Sequence, residues 1–126
     1  MNVVSDDAPP EIQAYYRVLT GGIETYGDGA ELAPLLADDL DFEGPIAGRV
    51  TGAALFRQGV KGFIANVGRI DVIQEVNGPD GTAVLYDAHL PQGVVRFSEF
   101  FTCADGRILR LRLQYDPADY VAKGGG

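Results

Sequence analysis

Residues 82–115 read TAVLYDAHLPQGVVRFSEFFTCADGRILRLRLQY. Apolar and polar residues alternate along this stretch, and the alternation breaks at Pro91-Gln92-Gly93 and Ala104-Asp105-Gly106. That is the pattern of half-buried strands joined by tight turns. A primed two-residue turn at Pro91-Gln92 requires a positive φ at its first position, which the proline ring forbids. A type I turn led by Pro91, with Gly93 left-handed, gives a three-residue loop instead. In that register Leu90 faces Val94, His89 faces Val95, Asp87 faces Phe97 and Leu85 faces Glu99. The same loop at Ala104-Asp105-Gly106 sets Glu99 against Leu111, Phe97 against Leu113 and Val95 against Tyr115.

One face of the sheet is then expected to hold Leu85, Asp87, His89, Val95, Phe97, Glu99, Phe101, Leu109, Leu111, Leu113 and Tyr115. The other holds Tyr86, Ala88, Arg96, Ser98, Phe100, Thr102, Arg110, Arg112 and Gln114. The first face is apolar and requires covering, yet it carries Glu99, Asp87 and His89. A carboxylate among Phe97, Phe101 and Leu111 is costly to desolvate unless it is protonated or hydrogen-bonded. Burial and a neighbouring like charge both raise a carboxyl pKa, which suits a general acid or base near neutral pH. Glu99, Asp87 and His89 are therefore the candidate catalytic residues. Ser98 points to the other face, so a Ser-His-Asp triad is not expected. Tyr16, on the helix that covers the apolar face, is a candidate ligand contact.

Upstream, Ile12, Tyr15, Tyr16, Leu19, Ile23 and Tyr26 recur at helical spacing, predicting a helix over 9–27. Asp28 and Glu31 suggest a second, short helix through Ala37, made irregular by Pro34. Leu40–Pro45 reads as a short edge strand, and Thr51 as the cap of a third helix ending at Gly68. Within that helix Gly59 and Gly62 suggest close backbone packing. From Arg69 the period changes to two, giving strands 69–76, 82–90, 94–103 and 107–115. Helices first and a meander afterwards describe an α+β domain.

The chain has 126 residues, consistent with a single domain over 1–126, with 1–8 and 122–126 expected to be flexible. A net charge of −8 argues against nucleic acid and anionic membranes, and favours small neutral or cationic ligands. Neither a secretory signal nor a long apolar run is visible. One cysteine, Cys103, and one histidine fit a reducing cytoplasm and do not make a usual zinc site. The expectation is a cytoplasmic protein without metal or cofactor.

Several pieces in order complete the reading: Gly27-Asp28, Leu35-Leu36-Ala37-Asp38-Asp39, Glu99-Phe100-Phe101, Asp105-Gly106-Arg107-Ile108 and Tyr115-Asp116-Pro117. With these the chain resembles the nuclear transport factor two-like superfamily, and within it the SnoaL-like and ketosteroid isomerase-like proteins. The resemblance implies a cone-shaped, curved antiparallel sheet wrapped around N-terminal helices, enclosing an apolar pocket and often forming a homodimer through the outer sheet face. It implies a pocket acid at Glu99 and a small hydrophobic substrate against Tyr16, Thr20, Phe42, Phe97, Phe101, Leu111, Leu113 and Tyr115. The second catalytic aspartate of the isomerases falls on Gly44 and their helix 1 tyrosine near Thr20, so that full set is absent. Of an epoxide hydrolase-like Asp-Arg-Asp arrangement, Asp87 matches one aspartate while the other falls on Leu113. The function expected is cofactor-independent acid–base chemistry, an isomerisation, cyclisation or epoxide opening, on a hydrophobic oxygen-bearing molecule. Non-catalytic ligand binding and structural dimerisation are the alternatives.

Overall fold

The two residues that most constrain the sheet, Pro91 and Gly93, sit in a tighter turn than the one expected. In the computed structural model, which describes residues 3–126, strand β4 (Gly81–Leu90) pairs with β5 (Gly93–Ala104) so that Leu90 faces Gly93 and Tyr86 faces Phe97. The loop is two residues long. Gly93 does take a positive φ, +154°, but in an extended conformation that keeps it in the ladder. Neither Pro91 nor Gln92 has a positive φ, so the turn is not of a primed type. The C-terminal segment clasps it: Gln92 N donates to Lys123 O at 3.0 Å, and Lys123 Nζ donates to Val94 O at 2.8 Å.

This one-residue slip reverses β4 relative to expectation, as the period of two requires. Val84, Tyr86, Ala88 and Leu90 are buried, while Leu85, Asp87 and His89 turn to the outer face. The next hairpin slips as well, since Asp105 (φ 55°) and Gly106 (φ 75°) make a two-residue turn between Ala104 and Arg107. There a bulge at Leu109 adds a second residue of offset, so Glu99 faces Leu113 rather than Leu111. Two slips restore the face, and Glu99 points inward.

The sheet has six strands in the order β2-β1-β6-β5-β4-β3. Strand β3 (Arg69–Gly78), β4, β5 and β6 (Arg107–Gln114) form the expected meander. Strand β1 (Leu36–Gly44) is longer than the predicted edge strand and lies inside the sheet, antiparallel to β2 (Gly48–Thr51) and parallel to β6. The sheet is therefore mixed rather than wholly antiparallel. It is curved and open, and the helices lie against its inner face.

The predicted first helix breaks at Gly21-Gly22 into α1 (Pro10–Leu19) and α2 (Ile23–Tyr26). Pro34 limits the predicted second helix to a 3₁₀ turn over Ala33–Leu35. The third splits at Val60 into α3 (Ala53–Gly59) and α4 (Lys61–Asn66), and Gly52 rather than Thr51 is its cap. A β-carbon on Gly62 would fall 2.6 Å from the Gly126 carbonyl carbon, so close packing holds there, whereas a β-carbon on Gly59 would meet no neighbouring element within 4 Å. Helix α5 (Pro117–Ala122) follows an Asp116 cap whose carboxylate accepts from Ala118 N and Asp119 N. Of the termini, Val4 and Ala8 are buried and Ser5 donates twice to Glu75, while Gly125 N donates to Tyr120 O. Residues 1 and 2 lie outside the described residues. Among the described residues no helix is long and apolar enough to cross a membrane.

Candidate active site

Ile12, Tyr15, Tyr16 and Leu19 form the buried stripe of α1. Adjacent tyrosines at 15 and 16 lie about 100° apart around a helix, so both phenols can reach one point on the sheet below. That point is Glu99. Tyr15 Oη donates to Oε2 at 2.8 Å, and Tyr16 Oη donates to Oε1 at 3.0 Å. Tyr86, brought to the inner face by the slip in β4, donates to Oε1 at 2.6 Å. Its ring stacks on Phe97 at 5.4 Å and meets Tyr16 edge-on at 5.9 Å. Glu99 is 1% exposed.

These contacts explain how a carboxyl survives in the core. Burial drives the Glu99 pKa above the usual carboxylate range, and the donors from Tyr86, Tyr15 and Tyr16 partly oppose it. Burial first, and then the Glu99 charge, drives all three phenols well above their ordinary pKa, so they remain O–H donors. The cluster is a buried carboxyl fastened at three points by phenols.

A cavity of about 240 Å³ opens beside it. Glu99, Tyr15 and Tyr86 line its deep end together with Phe97. Phe42, Phe56, Phe63, Leu113, Tyr115 and Tyr120 continue the wall, and the exposed Ile46 and Leu55 stand at the mouth. Among the described residues no Asp, His, Lys or Arg side chain lines it. A small, apolar cavity with one convergent polar cluster has the composition of a ligand site.

Phe42, Phe97, Leu113 and Tyr115 of the expected substrate contacts line this cavity, and the other four do not. Tyr16 lies behind Glu99, holding it. Thr20 caps the end of α1, where its hydroxyl donates to Tyr16 O and the residue is exposed. Phe101 is sealed under Tyr15 and Tyr16, with ring centroids at 5.4 and 6.0 Å. Leu111 is wholly buried between Phe42 and Phe101 on the neighbouring strands.

Two candidate catalytic residues are also absent from the site, because the slip in β4 turns them outward. Asp87 accepts from Arg96 Nε at 2.6 Å, directly across the strand pair. His89 is 2.7 Å from Asp71 Oδ2 and 3.3 Å from Arg69. Arg110 and Arg112, on the outer face as expected, gather on Asp41. Sequence reasoning missed Tyr15 and Tyr86. The first was visible in the stripe of α1, but the second sat on the wrong face of the expected register. Among the described residues no group of three or more His, Cys, Asp or Glu could hold a metal ion.

The sequence profile of the SnoaL-like domain matches residues 12–111, most of the chain. The chain belongs to the SnoaL-like family. Solved structures share its fold. A Kribbella flavida protein is 25% identical over 94% of both chains, with a TM-score of 0.79. A provisionally named isomerase from Rhodopseudomonas palustris is 25% identical over 90% of this chain and 94% of its own, with a TM-score of 0.69. A provisionally named SnoaL-like polyketide cyclase from Jannaschia shares the fold at 14% identity, covering 96% and 95% of the two chains, with a TM-score of 0.68. No curated protein matches the chain.

Proposed function

We propose that this SnoaL-like domain is a cofactor-independent acid–base enzyme that isomerises or cyclises a small, apolar, oxygen-bearing molecule, with Glu99 as the proton-exchanging group. The observation that carries the reading is one carboxyl, 1% exposed and held by three phenols, at the deep end of an apolar cavity. Burial moves its proton affinity from the acid range toward neutrality, where a general acid or base works best. A single carboxyl suffices for an isomerisation in which a proton leaves one carbon and returns to another on the same face of the substrate. Epoxide opening depended on Asp87 and loses its support with the outward turn of that residue.

A panel of enolisable bicyclic ketones, 2-tetralone among them, incubated with the protein in deuterium oxide tests the reading. The proposal predicts exchange at the carbon next to the carbonyl faster than in buffer, and its loss in Glu99→Gln. A second reading, ligand capture without chemistry, is favoured by the cavity wall, which among the described residues carries no Asp, His, Lys or Arg side chain beside Glu99. Occupancy of the cavity without any exchange supports that reading. A domain that only dimerises has no need of the cavity.

The same reading places the protein in the cytoplasm as a homodimer through the outer sheet face. In support, Phe100 and Val76 are 51% and 53% exposed there, beside Arg110 and Arg112 on one shallow groove.

A further inference from the structure

We infer that a ligand in the cavity is read by a single atom, Oε2 of Glu99, which accepts from a hydroxyl when the carboxyl is ionised and donates to a carbonyl when it is protonated. This rests on the reading that Glu99 works at the deep end of the cavity.

A carboxylate offers about four acceptor positions, two on each oxygen. On Oε1 both are taken, one by Tyr16 and one by Tyr86. On Oε2 only one is taken, by Tyr15. The remaining position is therefore on Oε2. The same position receives the proton when the carboxyl is neutral. Protonating Oε1 would expel Tyr16 or Tyr86 from its hydrogen bond and leave a buried phenol unsatisfied, whereas protonating Oε2 displaces nothing. Tyr15, the one phenol on Oε2, lines the cavity with Glu99, as Tyr86 on the filled Oε1 also does, whereas Tyr16 does not.

Among the described residues no other charged side chain lines the cavity. The titratable groups that face Glu99 are Tyr15 and Tyr16 from α1 and Tyr86 from β4. Tyr26 acts on Tyr15, and Tyr120 of α5, which lines the cavity beside Tyr115, acts on Tyr86 and Tyr115. Arg57 of α3 acts on Tyr26. From β1, β6, α3 and α4 the cavity receives no charged side chain. The donors of Tyr15 and Tyr86 are already committed to the carboxyl, so at the deep end the protonation of Glu99 alone decides whether donor or acceptor chemistry is welcome. The ligand class follows: an apolar body bearing one hydroxyl or enol on the alkaline side of the Glu99 midpoint, and one carbonyl on the acid side.

Two probes of one shape separate the states: 2-naphthol, which donates, and 2-acetylnaphthalene, which only accepts. Their dissociation constants are measured between pH 5 and 8.5 on the whole protein, on Glu99→Gln and on Tyr15→Phe. The inference expects the ratio of the two constants to change by at least about tenfold with one midpoint, in favour of the naphthol as pH rises. In Glu99→Gln the ratio is expected to be flat. In Tyr15→Phe the reversal survives with a higher midpoint, because a donor to the charged form has gone. A flat ratio in the native protein, with both probes weakened by Glu99→Gln, overturns the inference and leaves Glu99 in the site. If Glu99→Gln changes neither constant, the underlying reading falls too. Loss of the reversal in Tyr15→Phe transfers the role to that phenol and also overturns the inference, as does failure of both probes to bind.

Discussion

Tyr86→Phe removes one oxygen and leaves the packing in place. The phenylalanine ring keeps the stack on Phe97 at 5.4 Å and the edge contact with Tyr16 at 5.9 Å. What disappears is the 2.6 Å hydrogen bond to Glu99 Oε1, the shortest of the three. A buried hydrogen bond to a charged group contributes about 1.5–3 kcal/mol, and one between neutral groups about 0.5–1.5 kcal/mol. The loss must therefore depend on the state of Glu99. Its folded pKa is raised, so the stability that the neutral carboxyl contributes is fully present below the unfolded value and falls as pH rises through the folded one. Tyr86→Phe takes a donor from the charged form, raises that midpoint further, and destabilises most on its alkaline side. Urea unfolding followed by circular dichroism from pH 4.5 to 9 is expected to show a deficit of about 1.5–3 kcal/mol at the alkaline end and less than about 1.5 at the acid end. In melting temperature, at roughly 4 °C per kcal/mol, the alkaline deficit is about 6–12 °C. A deficit below about 0.5 kcal/mol throughout, or one independent of pH, refutes the reasoning.

Three further outcomes test the surroundings of the site. Asp87→Ala and His89→Ala are expected to leave 2-naphthol binding within about twofold of the native protein, as surface substitutions do; a tenfold loss from either would return that residue to the cavity. Phe100→Glu places a charge at the centre of the outer sheet face, and light scattering is expected to show a dimer in the native protein and a monomer in the variant. A native protein that is already monomeric ends the dimer proposal. Burial, with a smaller contribution from Glu11, pushes the Cys103 thiol up to about 12, so a disulfide reagent at pH 8 should react on the order of a thousandfold more slowly than with free cysteine. A rate within about tenfold of free cysteine contradicts that thiol environment.

The strands and the inward direction of Glu99 were legible because alternation survives errors that come in pairs. In β5–β6 the Asp105-Gly106 turn and the Leu109 bulge each move the register by one residue, and together they preserve the face. In β4–β5 a single slip has no partner, and it exchanged Leu85, Asp87 and His89 for Val84, Tyr86 and Ala88. The cause is not local: Gly93 stays in the ladder at φ +154° while Lys123, thirty residues later, grips both sides of the turn. The parallel seam between β1 and β6 is equally remote in sequence, so β1 read as an edge. By contrast, Asp116-Pro117 carries a readable cap for α5 that the sequence analysis did not use. The site was half legible for the same reason: the stripe of α1 is set by the helical period, whereas the place of Tyr86 depends on one residue of register.

The most direct measurement of the central claim is a carbon-13 titration of the six glutamate side-chain carboxyls, with Glu99→Gln to identify the resonance of Glu99. The account predicts that the resonance lost in the variant titrates above the other five and shifts further when 2-naphthol is added. If all six titrate together near the ordinary carboxylate value of about 4.3, and none responds to the probe, Glu99 is not the buried, proton-exchanging acid described here.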